Sequence, residues 1–183
     1  MKQYFIFILL SIMSLVSCTK NTGIVVTKPG SNLILDKMNS GTWGGAAVSD
    51  GGNRLDINNS QNGNEGSYTF DSSVLGIGAM YKDQNGGYLL TVPMGPDLVV
   101  VKVDQSGKNA INAVLDVLDY AGGESVIGNL VNVVVKEGAD NIDLSNPDKI
   151  LAGINIPMEK YEEVKNILMS SNKNSFTNAE TIQ

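Results

Sequence analysis

Between Gly41 and Val103, runs of apolar and aromatic residues are interrupted about every ten residues by turn-forming clusters, and this punctuation constrains the fold more than any other feature. Spacing that short suits strands joined by hairpins and leaves no room for parallel crossovers, which need a dozen or more residues. The pattern predicts six strands, over 42–48, 54–58, 67–71, 74–82, 87–92 and 98–103. Asp50-Gly51-Gly52-Asn53, residues 61–66, Asp83-Gln84-Asn85-Gly86 and Pro93-Met94-Gly95-Pro96 supply the turns. Asn85-Gly86 is the clearest of them, because both residues accept the positive φ that a tight hairpin turn requires. Leu98-Val99-Val100-Val101 is apolar on both faces, which predicts a covered strand, with Pro96 limiting pairing at its entrance.

After Gly107 the period changes from two to 3.6. Ile111, Val114, Leu115 and Leu118 make one helical stripe, predicting a helix over 108–120 that Gly122-Gly123 stops. Residues 124–137 carry a second stripe of Ile127, Leu130, Val131 and Val134, although the β-branched run Val133-Val134-Val135 also suits a strand. Asn146-Pro147 and Pro157 each place proline where a helix begins, and Met158, Tyr161, Val164 and Leu168 give the second an apolar face. Residues 171–183 read as a polar, flexible tail. The expectation is therefore α+β: an antiparallel β-meander of about six strands followed by two to four helices, in one domain over 41–170. A chain of 183 residues, 42% hydrophobic and 17% charged, suits one such core.

The amino terminus has a different character. Lys2 precedes an almost wholly apolar run over 4–16, which reads as a secretory signal because spanning a bilayer takes about 20 residues. At its end, Leu15-Val16-Ser17-Cys18 resembles the lipobox of bacterial lipoproteins, an apolar or small triplet before an obligatory cysteine. The resemblance implies cleavage between Ser17 and Cys18, a thioether-linked diacylglycerol on the Cys18 sulfur, and acylation of the new amino group. It divides the chain into a signal peptide over 1–17, a lipidated terminus and linker over 18–40, and the domain beyond. Thr19 follows the cysteine where an inner-membrane lipoprotein tends to carry Asp, so the resemblance implies the bacterial envelope, the outer membrane ahead of the inner. Cys18 is the chain's one cysteine, so once it is acylated no thiol remains for a disulfide or a metal.

Composition removes several kinds of chemistry. Lys and Arg number 13 against 19 Asp and Glu, without the basic clusters that a nucleic-acid partner requires. There is no histidine, which excludes a Ser-His-Asp triad, a Cys-His pair and a His/Cys zinc site. Asp71, Asp83, Asp97, Asp104 and Glu124 could supply a glycosidase pair, and Lys102 or Lys108 a base, but their spacing selects none of them. Gly76-Ile77-Gly78 lacks the third glycine of a dinucleotide loop, and the acidic 140–148 segment misses calcium-loop spacing. The reading is a non-enzymatic envelope lipoprotein, a surface antigen or a protein with a binding or structural role. It needs no cofactor or metal, and meets the membrane through its lipid.

Gly41-Thr42-Trp43 is similar to the Gly-x-Trp motif of lipocalins, whose tryptophan closes the base of a ligand-holding barrel. That resemblance implies the alternative function, carriage of a small apolar ligand, with Trp43, Phe70, Tyr81 and Tyr88 lining the cavity.

Overall fold

The computed structural model describes residues 42–138, 142–172 and 174–183. The expected signal peptide and linker, with Ser17 and Cys18, lie outside them. The described residues form an eight-stranded antiparallel sheet in which every strand pairs with its neighbours in sequence, with helices packed on one face. The strands are β1 (Thr42–Trp43), β2 (Ala46–Ser49), β3 (Arg54–Ile57), β4 (Gly66–Val74), β5 (Gly78–Lys82), β6 (Tyr88–Met94), β7 (Asp97–Val103) and β8 (Phe176–Ile182). Helices α1 (Gln105–Val117), α2 (Tyr120–Glu137), α3 (Asp148–Leu151) and α4 (Met158–Met169) lie between β7 and β8. The α+β meander expected from the sequence is the fold.

The strand count differs at two places. Gly44-Gly45 breaks the expected first strand into the β1–β2 hairpin, where Trp43 faces Ala46. The larger correction is at the other end, where the expected flexible tail over 171–183 carries β8, paired antiparallel with β7. Its polar residues Thr177, Asn178 and Thr181 stand at the surface or half-buried, while Phe176, Glu180 and Ile182 are buried.

The glycines read as a helix stop are also corrected. Gly122 and Gly123 lie in the first turn of α2, whose cap is Asp119, its carboxylate accepting the Gly122 N–H at 2.8 Å. A Cβ at Gly123 would come within 3.0 Å of Leu115 Cδ2, so the missing side chain lets α1 approach. Asp104 caps α1 in the same way, accepting the Gly107 N–H at 2.7 Å.

Two apolar clusters lie on opposite faces of the sheet. Toward the helices, Tyr88, Leu90, Val99, Val101 and Phe176 pack with Ile111, Val114, Ile127, Leu130, Val134 and Val164. On the other face Trp43, Leu55, Ile57, Tyr81, Leu89, Leu98 and Val100 fill the interior of the curl. Strands β6 and β7 are covered on both sides, which explains the unbroken apolar run at 98–101.

Two β-bulges make this arrangement possible. Phe70 pairs with Tyr81 and Ser72 with Met80, so Asp71 is an extra residue in β4. Likewise Val100 pairs with Glu180 and Lys102 with Thr177, which sets Asn178 and Ala179 together opposite Val101, with Asn178 at φ 48°. Side chains two or four apart in a regular strand share a face. The bulges break that rule, so Tyr68 faces the interior and Val74 the helices, and Phe176 faces the helices and Ile182 the interior.

Candidate functional site

The sheet curls until the β1–β2 turn and the β3–β4 loop lie along the outer edge of β8. Gly44 N–H donates to the Gln183 carbonyl at 2.6 Å, the Asn62 side-chain amide to the Ala179 carbonyl at 2.8 Å, and the Asn64 amide to the Asn178 carbonyl at 2.7 Å. Side-chain amides thus stand in for the N–H groups of a missing neighbouring strand, a way of protecting an open sheet edge.

Glu180 is at the centre of this seam. It is 8% exposed. Its Oε1 accepts hydrogen bonds from Ser60 Oγ at 2.7 Å and Asn64 Nδ2 at 2.9 Å, and its Oε2 accepts the Gln61 backbone N–H at 2.9 Å. Ser60 Oγ in turn accepts from Asn64 N at 2.7 Å, tightening the loop, and Tyr68 donates its hydroxyl to the Asn64 carbonyl at 2.8 Å. Burial raises the Tyr68 pKa, and the nearby charges of Asp83 and Glu180 raise it further. Asn64 Oδ1 is buried, with no hydrogen-bond partner among the described residues.

Beside the seam opens a polar cleft of about 390 Å³, walled by Gly44, Gly45, Asn59 and Gln61 on one side and by residues 180–183, Glu180 to Gln183, on the other. The glycines are required there by contact: a Cβ on Gly44 would stand 2.5 Å from the Gln183 carbonyl oxygen, and one on Gly45 2.6 Å from that of Asn59. No local signal in the sequence marks this cleft. Its parts are loop asparagines, two glycines and one acid from a segment read as tail, and only the strand pairing assembles them.

The residues singled out from sequence fall in several places. Trp43, Phe70 and Tyr81 belong to the interior cluster, Phe70 and Tyr81 meeting edge to face at 5.8 Å between ring centroids. Tyr88 lies on the opposite face, among the helices, with its hydroxyl donating to Gln105 Oε1 at 2.8 Å. The four therefore do not line one cavity. Trp43 and Tyr81 are buried, and Tyr81 donates to the Gly52 carbonyl at 2.9 Å, its pKa pushed up to about 12 by burial.

The acids and lysines are largely engaged in local structure. Lys108 donates to Asp71 and stands 4.3 Å from the Tyr88 ring centroid, a cation–π contact. Asp104 caps α1, and Asp83 accepts the Gly87 N–H at 3.2 Å within the β5–β6 turn. Among the described residues no group of three acidic, histidine or cysteine side chains is arranged to hold a metal, and no helix is long and apolar enough to cross a membrane.

The chain matches no family model, no curated protein and no solved structure.

Proposed function

We propose that this chain is a lipid-anchored protein of the bacterial envelope, held at the outer membrane, whose α+β domain has a binding or structural role without catalysis. The observation that carries the reading is the position of the single cysteine, Cys18, directly after Leu15-Val16-Ser17 and the apolar run. Several acyl chains on one terminus hold a protein firmly, since each buried methylene contributes about 0.8 kcal/mol while one chain alone binds marginally. The remaining sequence gives no competing means of attachment by charge: loss of residues 1–17 leaves 12 basic against 19 acidic side chains, which anionic lipid repels.

The domain's own features support a binding or structural role. The capped, paired and packed state of Asp71, Asp83, Asp104 and Lys108 gives these groups work in the fold. Trp43 and Tyr81, buried among Leu55, Leu89 and Leu98, occupy the space in which a carrier would hold its ligand.

Metabolic labelling of cells with radioactive palmitate tests the anchor. Wild-type protein takes up label and partitions into detergent, and Cys18→Ser does neither; an unlabelled wild-type protein overturns the reading. Protease shaving of intact cells beside a periplasmic marker then separates a surface position from a periplasmic one.

A further inference from the structure

The seam at β8 contains a buried carboxylate. Among the described residues no lysine or arginine lies within ion-pair distance of Glu180. Ser60, Gln61 and Asn64 give it three hydrogen bonds from neutral donors, and a cationic donor in its remaining direction adds a charge-assisted one. Loops that merely close a sheet edge need no charge, because asparagine amides already do so at Asn178 and Ala179.

The acceptor geometry limits what could complete the site. A carboxylate has about four lone-pair directions, two on each oxygen. Oε1 already accepts twice, from Ser60 and Asn64, whereas Oε2 accepts once, from Gln61. A guanidinium seeks both oxygens at once in its paired fork, and Oε1 has no direction left. Oε2 keeps one direction, which suits a single-point donor.

The strand supplies a second acceptor. Backbone groups of alternate residues in a β-strand point to the same side. Ala179 and Gln183 both turn their carbonyls away from β7, toward Asn62 and Gly44. Thr181 lies between them, so its carbonyl points outward as well, into the cleft whose wall it forms. Every side chain named in that wall is neutral except Glu180. Among the side chains of the wall Glu180 is the single carboxylate, fewer than a hard divalent cation usually gathers.

We propose that the cleft between β8 and the β3–β4 loop binds a primary alkylammonium group, as carried by a lysine side chain or a free amine. The ammonium donates to Glu180 Oε2 and to the Thr181 carbonyl. This deepens the binding role proposed above and rests on it only for where the ligand is met. The cleft is read out whether or not Cys18 is acylated, so failure of the anchor and failure of the cleft are separate results.

The test is a titration of the ¹⁵N-labelled full chain in detergent micelles, followed through the amide signals of Gln61, Thr181 and Gln183. The probes are Nα-acetyl-lysine N-methylamide, n-pentylammonium, and the norleucine and arginine analogues of the first. Both ammonium probes shift these signals saturably and bind about tenfold more tightly than the norleucine analogue, the size of effect expected of one charge-assisted hydrogen bond. Tighter binding of the lysine analogue than of pentylammonium identifies a peptide-borne lysine; equal binding identifies a free amine. Glu180→Gln abolishes the difference between ammonium and norleucine. The comparison of probes on the wild-type chain stands by itself if that variant does not fold. The proposal is overturned by equal responses to lysine and norleucine analogues, by an arginine analogue that binds as well as lysine, by a response to calcium alone, or by no saturable shift.

Discussion

Glu180 and Ser60, 120 residues apart in the chain, meet through a 2.7 Å hydrogen bond at the seam of the sheet. The contact joins the last strand to the loop after the third, and two further donors from the same loop converge on the carboxylate. Hydrogen bonds to a charged group contribute about 1.5–3 kcal/mol each, and the shared ones do not add fully. Glu180→Ala is therefore expected to cost about 3 kcal/mol or more. Urea unfolding measures it, and a loss within experimental error would show that the seam adds nothing to stability.

The second prediction concerns the segment whose polar sequence suggests a tail. Deleting residues 175–183 removes Phe176 from the helix-facing core and Ile182 from the interior. It also uncovers β7, whose Val99, Val100 and Val101 are 2% exposed or less. The truncated chain should lose cooperative unfolding and bind a hydrophobic dye. Retention of a sharp thermal transition would contradict the role assigned to β8.

Two helix glycines should respond in opposite directions to the same substitution. Alanine is worth up to about 1 kcal/mol over glycine within a helix. At Gly128 in α2 a Cβ meets nothing within 4 Å, so Gly128→Ala should stabilise by about that amount. At Gly107 in α1 the Cβ would stand 2.8 Å from the Ser175 carbonyl oxygen and 2.8 Å from Val103 Cγ1. Overpacking of this kind costs about 1–3 kcal/mol, so Gly107→Ala should be destabilising despite its better helix propensity. Paired thermal melts decide both.

Tyr81 gives the fold an alkaline limit. Its hydroxyl keeps its proton up to about pH 12 when folded, while an unfolded tyrosine loses it near the ordinary value of 10.0. Between those values the unfolded chain binds fewer protons than the native one, so stability falls as pH rises, by at most about 1.4 kcal/mol per pH unit. Below pH 10 this contribution is flat. Tyr81→Phe, which has nothing to titrate, should show a shallower decline over the same window. Chemical denaturation at a series of pH values reads the slopes, and equal slopes would mean that Tyr81 is not the group responsible.

The meander was legible because hairpin turns are local. Asn85-Gly86 announces the β5–β6 turn through the φ preferences of two residues, and Gly86 has φ 93°. Helices α1 and α4 were legible through their stripes, on which Val114, Val164 and Leu168 are buried. What escaped the sequence depends on partners distant along the chain. Polar β8 reads as tail because its pairing with β7 spans the whole helical region, and a strand carrying a bulge lacks the regular alternation that marks strands. Gly122-Gly123 reads as a stop because the reason for those glycines is Leu115 of another helix. The seam was illegible for the same reason, since Ser60, Gln61 and Asn64 bond to a glutamate more than 110 residues away.

The bulges at Asp71 and Asn178 bear on how such a chain can change length. Each is one residue beyond a regular ladder, so a chain lacking Asp71 would keep Phe70 opposite Tyr81 and Ser72 opposite Met80, and one lacking Asn178 or Ala179 would keep Glu180 opposite Val100 and Thr177 opposite Lys102. Phe176 would stay toward the helices and Ile182 toward the interior. A one-residue loss is thus accommodated at the bulges, where elsewhere in a strand it would turn every residue beyond it to the other face, and the β5–β6 turn, with an open glycine at its tip, can vary residue by residue.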